Sequence, residues 1–400
     1  MPARFPTFFF TLAVLGIGGR GLFQVFIGKN AAYAVQAALI LAFMLILVAR
    51  GRPQATRHQL RNLFLFLLFC VTAFLSAVIT EGPSATALLI YISVMCFLAF
   101  LLFFFSSLTF SFQATNAPGR VLVVFCFVLV TVAFLQQHQS LELFPGSDYG
   151  TFGTTARPSS LTGSFLHYPL VTSLLTFIFL GLYGQQRNKL YLIAGLVAIA
   201  GTISSYSRSG MVLTLVGLVA GTLMSRGVNS KIRLVLGFAA GVPAFLFLFP
   251  IEGLGDRFFS IFDTEGAGNA GRVSAWLGAF EHWLDSPILL GAYTSAHSNI
   301  TANLAALEQA GAAESSIFQL LLSFGLLGLL AYYGLILASF RACIDIPVWF
   351  RAGLVGAIVQ SCFYQSIEVL PFMALLAFMP FISLSLAVPS EFSSVKTKVK

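Results

Sequence analysis

Leu63-Phe-Leu-Phe-Leu-Leu-Phe-Cys-Val-Thr-Ala-Phe-Leu-Ser-Ala-Val78 decides the fold class. Wound as a helix, the stretch is apolar on every face. Drawn as a strand, it lacks the apolar–polar alternation of a barrel wall. In hydrocarbon each backbone N–H and C=O must be satisfied within the protein, so a spanning segment is a helix or part of a closed barrel. The stretch therefore reads as a transmembrane helix. The rest of the chain agrees. Its 400 residues are 58% hydrophobic and 9% charged, with 43 phenylalanines. A mean hydropathy of +0.91 excludes an ordinary soluble globular protein.

About twelve segments are apolar and long enough to cross a bilayer. They fall near 6–27, 31–49, 62–80, 85–112, 119–136, 169–184, 189–204, 210–225, 233–250, 315–340, 351–369 and 372–389. The expected fold is an all-α polytopic membrane protein, residues 1–400 forming a single integral membrane domain. The first span is the weakest, interrupted by Arg20 and nearby glycines. No small-residue cleavage site follows it, so it reads as retained. The five cysteines are scattered through apolar runs without C-x-x-C spacing, which fits core packing better than disulfides or a metal cluster.

Basic residues set the sidedness. Arg4, Arg50, Arg52, Arg57, Arg61, Arg120, Arg187, Lys189, Arg226, Lys231, Arg233, Arg341, Arg351, Lys396, Lys398 and Lys400 fall on one set of loops. That set is expected to be cytoplasmic, and both termini with it. The net charge of +8 is then a topology signal helped by anionic inner-leaflet lipid, with no need of nucleic acid. Two long loops fall outside, about 137–168 and 251–314. The second carries eight of the 14 acidic residues. Its Phe258, Phe259, Phe262, Trp276 and Trp283 sit at helical spacings, so short amphipathic helices on the membrane surface are expected. Loops this long are commonly functional.

Four arginines stand on the outer side against the usual bias. Arg208 lies in Ser205-Tyr-Ser-Arg-Ser-Gly210, a tight turn between spans. Arg272 lies in Gly271-Arg-Val-Ser-Ala-Trp276. Arg157 precedes Pro158, and Arg257 follows Asp256. A guanidinium stays charged and grips phosphate oxygens in a bidentate fork, so two or three converging arginines would hold a diphosphate. The competing reading is a solvated ion pair, which the neighbouring Asp256 favours for Arg257. Glu314 precedes Ser315 and Ser316, either of which suits the N-cap of the tenth span. At a helix mouth a carboxylate is favoured in its ionised form and can accept a proton from a sugar hydroxyl; it can equally be a capping acid with no further role. His297, in Ala-His-Ser-Asn, is an acid–base candidate or a solvated loop histidine. Glu368 sits near the outer end of its expected span and requires no proton pathway. No metal-ligand spacing, nucleotide loop or nucleophile elbow is present.

Ser-Arg-Ser-Gly between two spans, then an outer loop with Gly-Arg-x-x-x-Trp, then a polar residue before Ser and an apolar run to Gly325-Leu-Leu-Gly328, resembles the O-antigen polymerase and O-antigen ligase superfamily. The resemblance covers about 150–340. Ligases of that superfamily typically place a histidine ahead of Asn, Ser or Gln, nine residues before Gly-x-x-Gly. Here that position is Glu314, followed by Ser315, and His297 does not meet the spacing. Polymerases often carry Glu-Ser there. The resemblance implies a metal-independent, GT-C-like membrane glycosyltransferase of the bacterial inner membrane, without cofactor. Its donor and acceptor would be glycans on undecaprenyl diphosphate. Arg208 and Arg272 match the motif arginines thought to hold the diphosphate. Glu314 would act on the attacking hydroxyl, with Arg157, His297 and Arg257 supporting substrate binding. Membrane lipid and a chain-length regulator are the other partners such an enzyme would have. A ligase moving finished glycan to a lipid A core or a protein is the alternative. A polysaccharide transporter or flippase is the reading from another class; it would gather polar groups near the bilayer midplane, whereas these gather at the outer face.

Overall fold

The computed structural model describes residues 4–51, 53–110, 112, 115–139, 143–144, 147–152, 155–225, 267–301, 313–341 and 347–385. Its helices are α1 (Thr7–Gly18), α2 (Arg20–Ile27), α3 (Lys29–Arg50), α4 (Gln59–Ile79), α5 (Ala85–Ser107), α6 (Ala117–Gln139), α7 (His167–Gln186), α8 (Lys189–Ser204), α9 (Arg208–Met224), α10 (Ala267–Leu284), α11 (Ser316–Arg341), α12 (Val348–Ser361) and α13 (Leu370–Ser385). Two short antiparallel ladders accompany them. β1 (Gln54–Ala55) pairs with β2 (Leu108–Thr109), and β3 (Gly150–Phe152) with β4 (Thr155–Arg157).

The protein is a largely helical, multi-pass membrane protein. The helices α3 to α7 and α11 are long and apolar enough to cross a membrane; α1 and α2 add a seventh if their pair, bent by 79°, is one span. The expected count of about twelve is not reached among the described residues. Four of the expected spans, α8, α9, α12 and α13, are apolar helices of 14 to 17 residues. The segment 233–250 lies outside the described residues. The break in the first span falls at Gly19, and Arg20 opens the next helix. Arg20 is buried there, bonded to Tyr33, to the Gly163 carbonyl and, at 3.2 Å, to Asp148.

The stretch that decided the fold is α4, and its faces are inverted relative to a soluble protein. Phe64, Leu67, Val71, Phe74 and Val78 point outward. Thr72 and Ser76 point inward with Phe69 and Ala73. An apolar outer face costs nothing against lipid tails, whereas a polar group there would lack a partner. Ser76 Oγ instead meets Thr294 Oγ1 at 2.8 Å and the Ser323 carbonyl.

Helix α11 is broken at Gly325, whose φ of 63° and ψ of −168° no helix contains. The break frees backbone groups deep in the protein, and residues 287–294, part of the segment expected as the second outer loop, fold in to satisfy them. Leu326 and Leu327 N–H donate to the Ile288 and Leu289 carbonyls at 3.0 and 3.2 Å. Ala292 and Tyr293 N–H donate to the Leu322 carbonyl at 3.1 and 3.0 Å. Thr294 Oγ1 donates to the Ser323 carbonyl at 2.9 Å. Part of the segment expected as the second outer loop is thus built into the bundle. The same loop contributes α10, which packs Ala279 and Trp283 against Ala313, Leu322 and Phe318. Its other face exposes Val273, Leu277, Phe280 and Leu284. Phe258, Phe259 and Phe262 lie outside the described residues.

The expected span 351–369 also differs. Helix α12 ends at Ser361, and residues 362–369 form a connection with a 3₁₀ turn at Ser366–Glu368. Glu368 is therefore in a turn that folds back into the protein.

Candidate active site

Helix α10 presents Arg272 and Trp276 one turn apart, on the face an i, i+4 pair shares. Both meet Glu314. Arg272 Nε lies 3.4 Å from Glu314 Oε2, and Trp276 Nε1 donates to the Glu314 carbonyl at 3.4 Å. Trp276 is itself lodged between Phe318, 6.5 Å away, and Phe363, 5.8 Å away. The Gly-Arg-x-x-x-Trp motif and the Glu-Ser motif are thus two halves of one contact. Arg272 is 26% exposed and Glu314 40%, so the pair is wet enough to be worth only about 0.5 kcal/mol to folding and is open to a ligand.

Arg208 is the first residue of α9. The Ser207 hydroxyl caps that helix by accepting from Gly210 N–H. A cation at a helix N-terminus opposes the macrodipole, which alone would disfavour it there by some tenths of a kcal/mol. The same end favours an anion, and a guanidinium beside it adds to that preference. Arg157, on β4, is laid over the Phe165 ring at 4.5 Å and donates from Nε to the Ser205 carbonyl at 3.3 Å. Ser205 belongs to the turn that launches Arg208, so the two arginines are borne by touching segments.

Backbone strain collects around these residues. Ser160, Tyr206, Ser295 and Glu314 are four of the five described non-glycine residues with positive φ, at values between 50° and 69°; the fifth, Arg187, is the C-cap of α7. The four lie beside Arg157, Arg208 and His297 and at the candidate base itself. Such conformations cost about 1 kcal/mol or more each and tend to mark functional sites.

His297 is buried. Its ring faces Tyr293 and His282 at 6.0 and 6.1 Å, and its carbonyl accepts from Gln365 Nε2 at 2.6 Å. It is a packed side chain, not a solvated loop histidine. Ser316 opens α11, but its hydroxyl donates across to the Tyr364 carbonyl at 2.8 Å, so it does not cap its own helix. Arg257 lies outside the described residues. Among the described residues, no group of three His, Cys, Asp or Glu is arranged to hold a metal.

The residue that sequence reasoning passed over is Glu368. It is 6% exposed and accepts three hydrogen bonds. Ser298 Oγ and Gln319 Nε2 each donate to Oε2 at 2.6 Å, and Asn299 N–H donates to Oε1 at 3.0 Å. Burial raises its pKa, the three donors working the other way. The carboxylate ties the His297–Asn299 segment, α11 and the 362–369 turn into one body. Its signal in the sequence was that of an acid in an apolar run. Removing it strands two buried donors, Ser298 Oγ and Gln319 Nε2, which cost about 1–3 kcal/mol each, and a partly buried N–H. Glu368→Ala is accordingly expected to melt well below wild type in detergent. Glu368→Gln, which keeps one acceptor oxygen, should fall between them. Equal melting temperatures for all three proteins would show that the network carries no load.

Residues 192–333 match the Wzy_C family, described as O-antigen ligase. Searches of curated proteins and of solved structures find no match. The matched span runs from within α8 to within α11 and holds Arg208, Arg272, His297 and Glu314; Arg157 and Glu368 lie outside it. The match covers residues 192–333 of the 400 and agrees with the resemblance to the O-antigen polymerase and ligase superfamily that the motifs carry.

Proposed function

We propose that the protein joins undecaprenyl-diphosphate-linked oligosaccharide repeat units into a bacterial surface polysaccharide: O-antigen, capsule or exopolysaccharide. The transfer takes place at the periplasmic face of the inner membrane, with both termini in the cytoplasm. The observation that carries this reading is the contact of Arg272 with Glu314, a guanidinium and a carboxylate on separate segments at one exposed site. The cation suits a diphosphate and the carboxylate suits an attacking hydroxyl. Arg208, Arg272 and Arg157 stabilise charge developing on the leaving diphosphate. Glu314 accepts the proton of the acceptor sugar's hydroxyl. The arginines supply the positive charge that a metal ion provides in other transferases, so the reaction needs none. Arg257 and His297 are supporting residues in this reading, and a chain-length regulator is a natural partner.

A second reading, ligation of finished glycan to lipid A core or protein, is favoured by the description of the matched family. Glu314 at the position where ligases typically carry histidine favours polymerisation. A deletion strain separates the two. Loss of chain length with single repeat units still attached to the surface glycolipid is the expected result. Full-length polymer accumulating on its lipid carrier would identify a ligase instead.

A further inference from the structure

Helix α3 opens with Lys29 and carries Tyr33 one turn on, two positions that share a helix face. Lys29 is 46% exposed, and its ammonium lies 3.0 Å from Asp148 Oδ1. The other oxygen of Asp148 is taken by Arg20, which is 1% exposed and lies 3.2 Å away. A buried guanidinium on one carboxylate is already a neutral pair, so Lys29 brings a positive charge that the pair does not require. Lys29 also stands at a helix N-terminus, where a cation opposes the macrodipole. Arg20 Nη1 donates to the Tyr33 oxygen, which leaves the phenol's own proton for another acceptor. Tyr33 is 36% exposed. An ammonium and a phenol O–H are thus both open to solvent on one face, above a buried ion pair.

Just before Lys29 comes α2, bent by 79° from α1. It buries Gln24, which donates to Ser147 Oγ at 2.7 Å, and exposes Leu22, Val25, Phe26 and Ile27. Ile27 is two residues from Lys29, so the apolar face ends at the cation. A shared scaffold ties this cluster to the candidate site. Asp148 N–H donates to the Gly163 carbonyl at 3.1 Å, and the Asp148 carbonyl accepts from Phe165 N–H at 3.0 Å. Phe165 in turn carries Arg157 on its ring.

We propose that Lys29 and Tyr33 bind the diphosphate of the acceptor lipid, whose polyprenyl chain lies against the exposed face of α2. This rests on the polymerisation reading above. Joining two lipid-linked units requires two diphosphates to be held at once. The attacking hydroxyl belongs to a sugar, and the glycan between it and the acceptor's own diphosphate keeps that diphosphate away from Arg208 and Arg272. It therefore needs donors of its own. The ammonium and the phenol meet its oxygens in charge-assisted hydrogen bonds, and α2 supplies an apolar surface beside the headgroup.

Lys29→Ala removes an exposed ion pair, worth little to folding, and leaves Arg20 on Asp148; it should melt with wild type. Binding of undecaprenyl diphosphate is titrated on detergent-purified protein, with phosphatidylglycerol as competitor. Wild type is expected to bind two equivalents. Lys29→Ala should weaken one of them about tenfold, Arg272→Ala should weaken the other, and Lys29→Arg should keep both. Two equivalents bound by Lys29→Ala as tightly as by wild type would overturn the proposal. So would phosphatidylglycerol displacing the Lys29 equivalent as readily as undecaprenyl diphosphate does, which would make the site a general phospholipid contact. In turnover, Lys29→Ala should raise KM for lipid-linked repeat units about tenfold. A wild-type protein that binds both equivalents, one of them through Lys29, yet turns over no glycan upholds the diphosphate-lipid site and defeats the polymerisation reading instead.

Discussion

Arg272→Ala and Arg208→Ala are each expected to cut glycan transfer by about a hundredfold or more, the scale of losing one preorganised donor to a developing anion. Neither is expected to stop the protein reaching the membrane. The Arg272–Glu314 pair is partly solvated at 3.4 Å, so its loss costs folding little. Arg208 opposes the dipole of its own helix, and the Ser207 cap that holds that helix remains in the variant. Activity and stability thus separate at both positions. Lysine restores a charge without the planar fork, so Arg272→Lys should recover only part of the lost rate. The measurements are membrane level by immunoblot and polymer length on a gel. Long-chain glycan at wild-type level from either alanine variant would remove that arginine from the site.

Gly325→Ala is expected to destabilise the protein by about 3 kcal/mol or more. Its backbone lies where essentially only glycine is found. An added Cβ would stand 2.3 Å from the Leu289 carbonyl carbon and 2.4 Å from Leu290 N. Those atoms belong to the inserted segment 287–294, so relief requires withdrawing the strap that completes the broken helix. That strap leads directly into Ser295–Asn299, and its displacement should also abolish transfer. Gly184→Ala in α7 is the control, with nothing within 4 Å of its added methyl; it should melt at or slightly above wild type. A Gly325→Ala protein as stable as that control would mean α11 does not break there.

Hydropathy made the membrane class legible because lipid imposes one simple demand, an apolar outer face. The same averaging hid what lies between the helices. Residues 351–369 pass as one span, since Cys362–Val369 contains only one charge, and the turn that carries Tyr364 and Glu368 disappears into it. Gly325 reads as an ordinary small residue in an apolar run, because the loop segment that breaks the helix there comes from elsewhere in the chain. Arg272 and Trp276 were visible as a pair, but their shared partner Glu314 is on another element. Arg157 was visible as an unusual outer arginine; its anchor, the Ser205 carbonyl, is backbone and leaves no trace in residue type. The motif residues were legible, and the contacts that join them needed the fold.

The central claim is that this outer-face cluster of guanidinium and carboxylate transfers glycan from a diphosphate lipid. It is tested most directly with purified protein, given lipid-linked repeat units as the only substrate, and a gel of the products. A ladder at repeat-unit spacing, absent with Arg272→Ala, is the predicted result. Repeat units recovered unchanged after incubation with folded wild-type protein would contradict it.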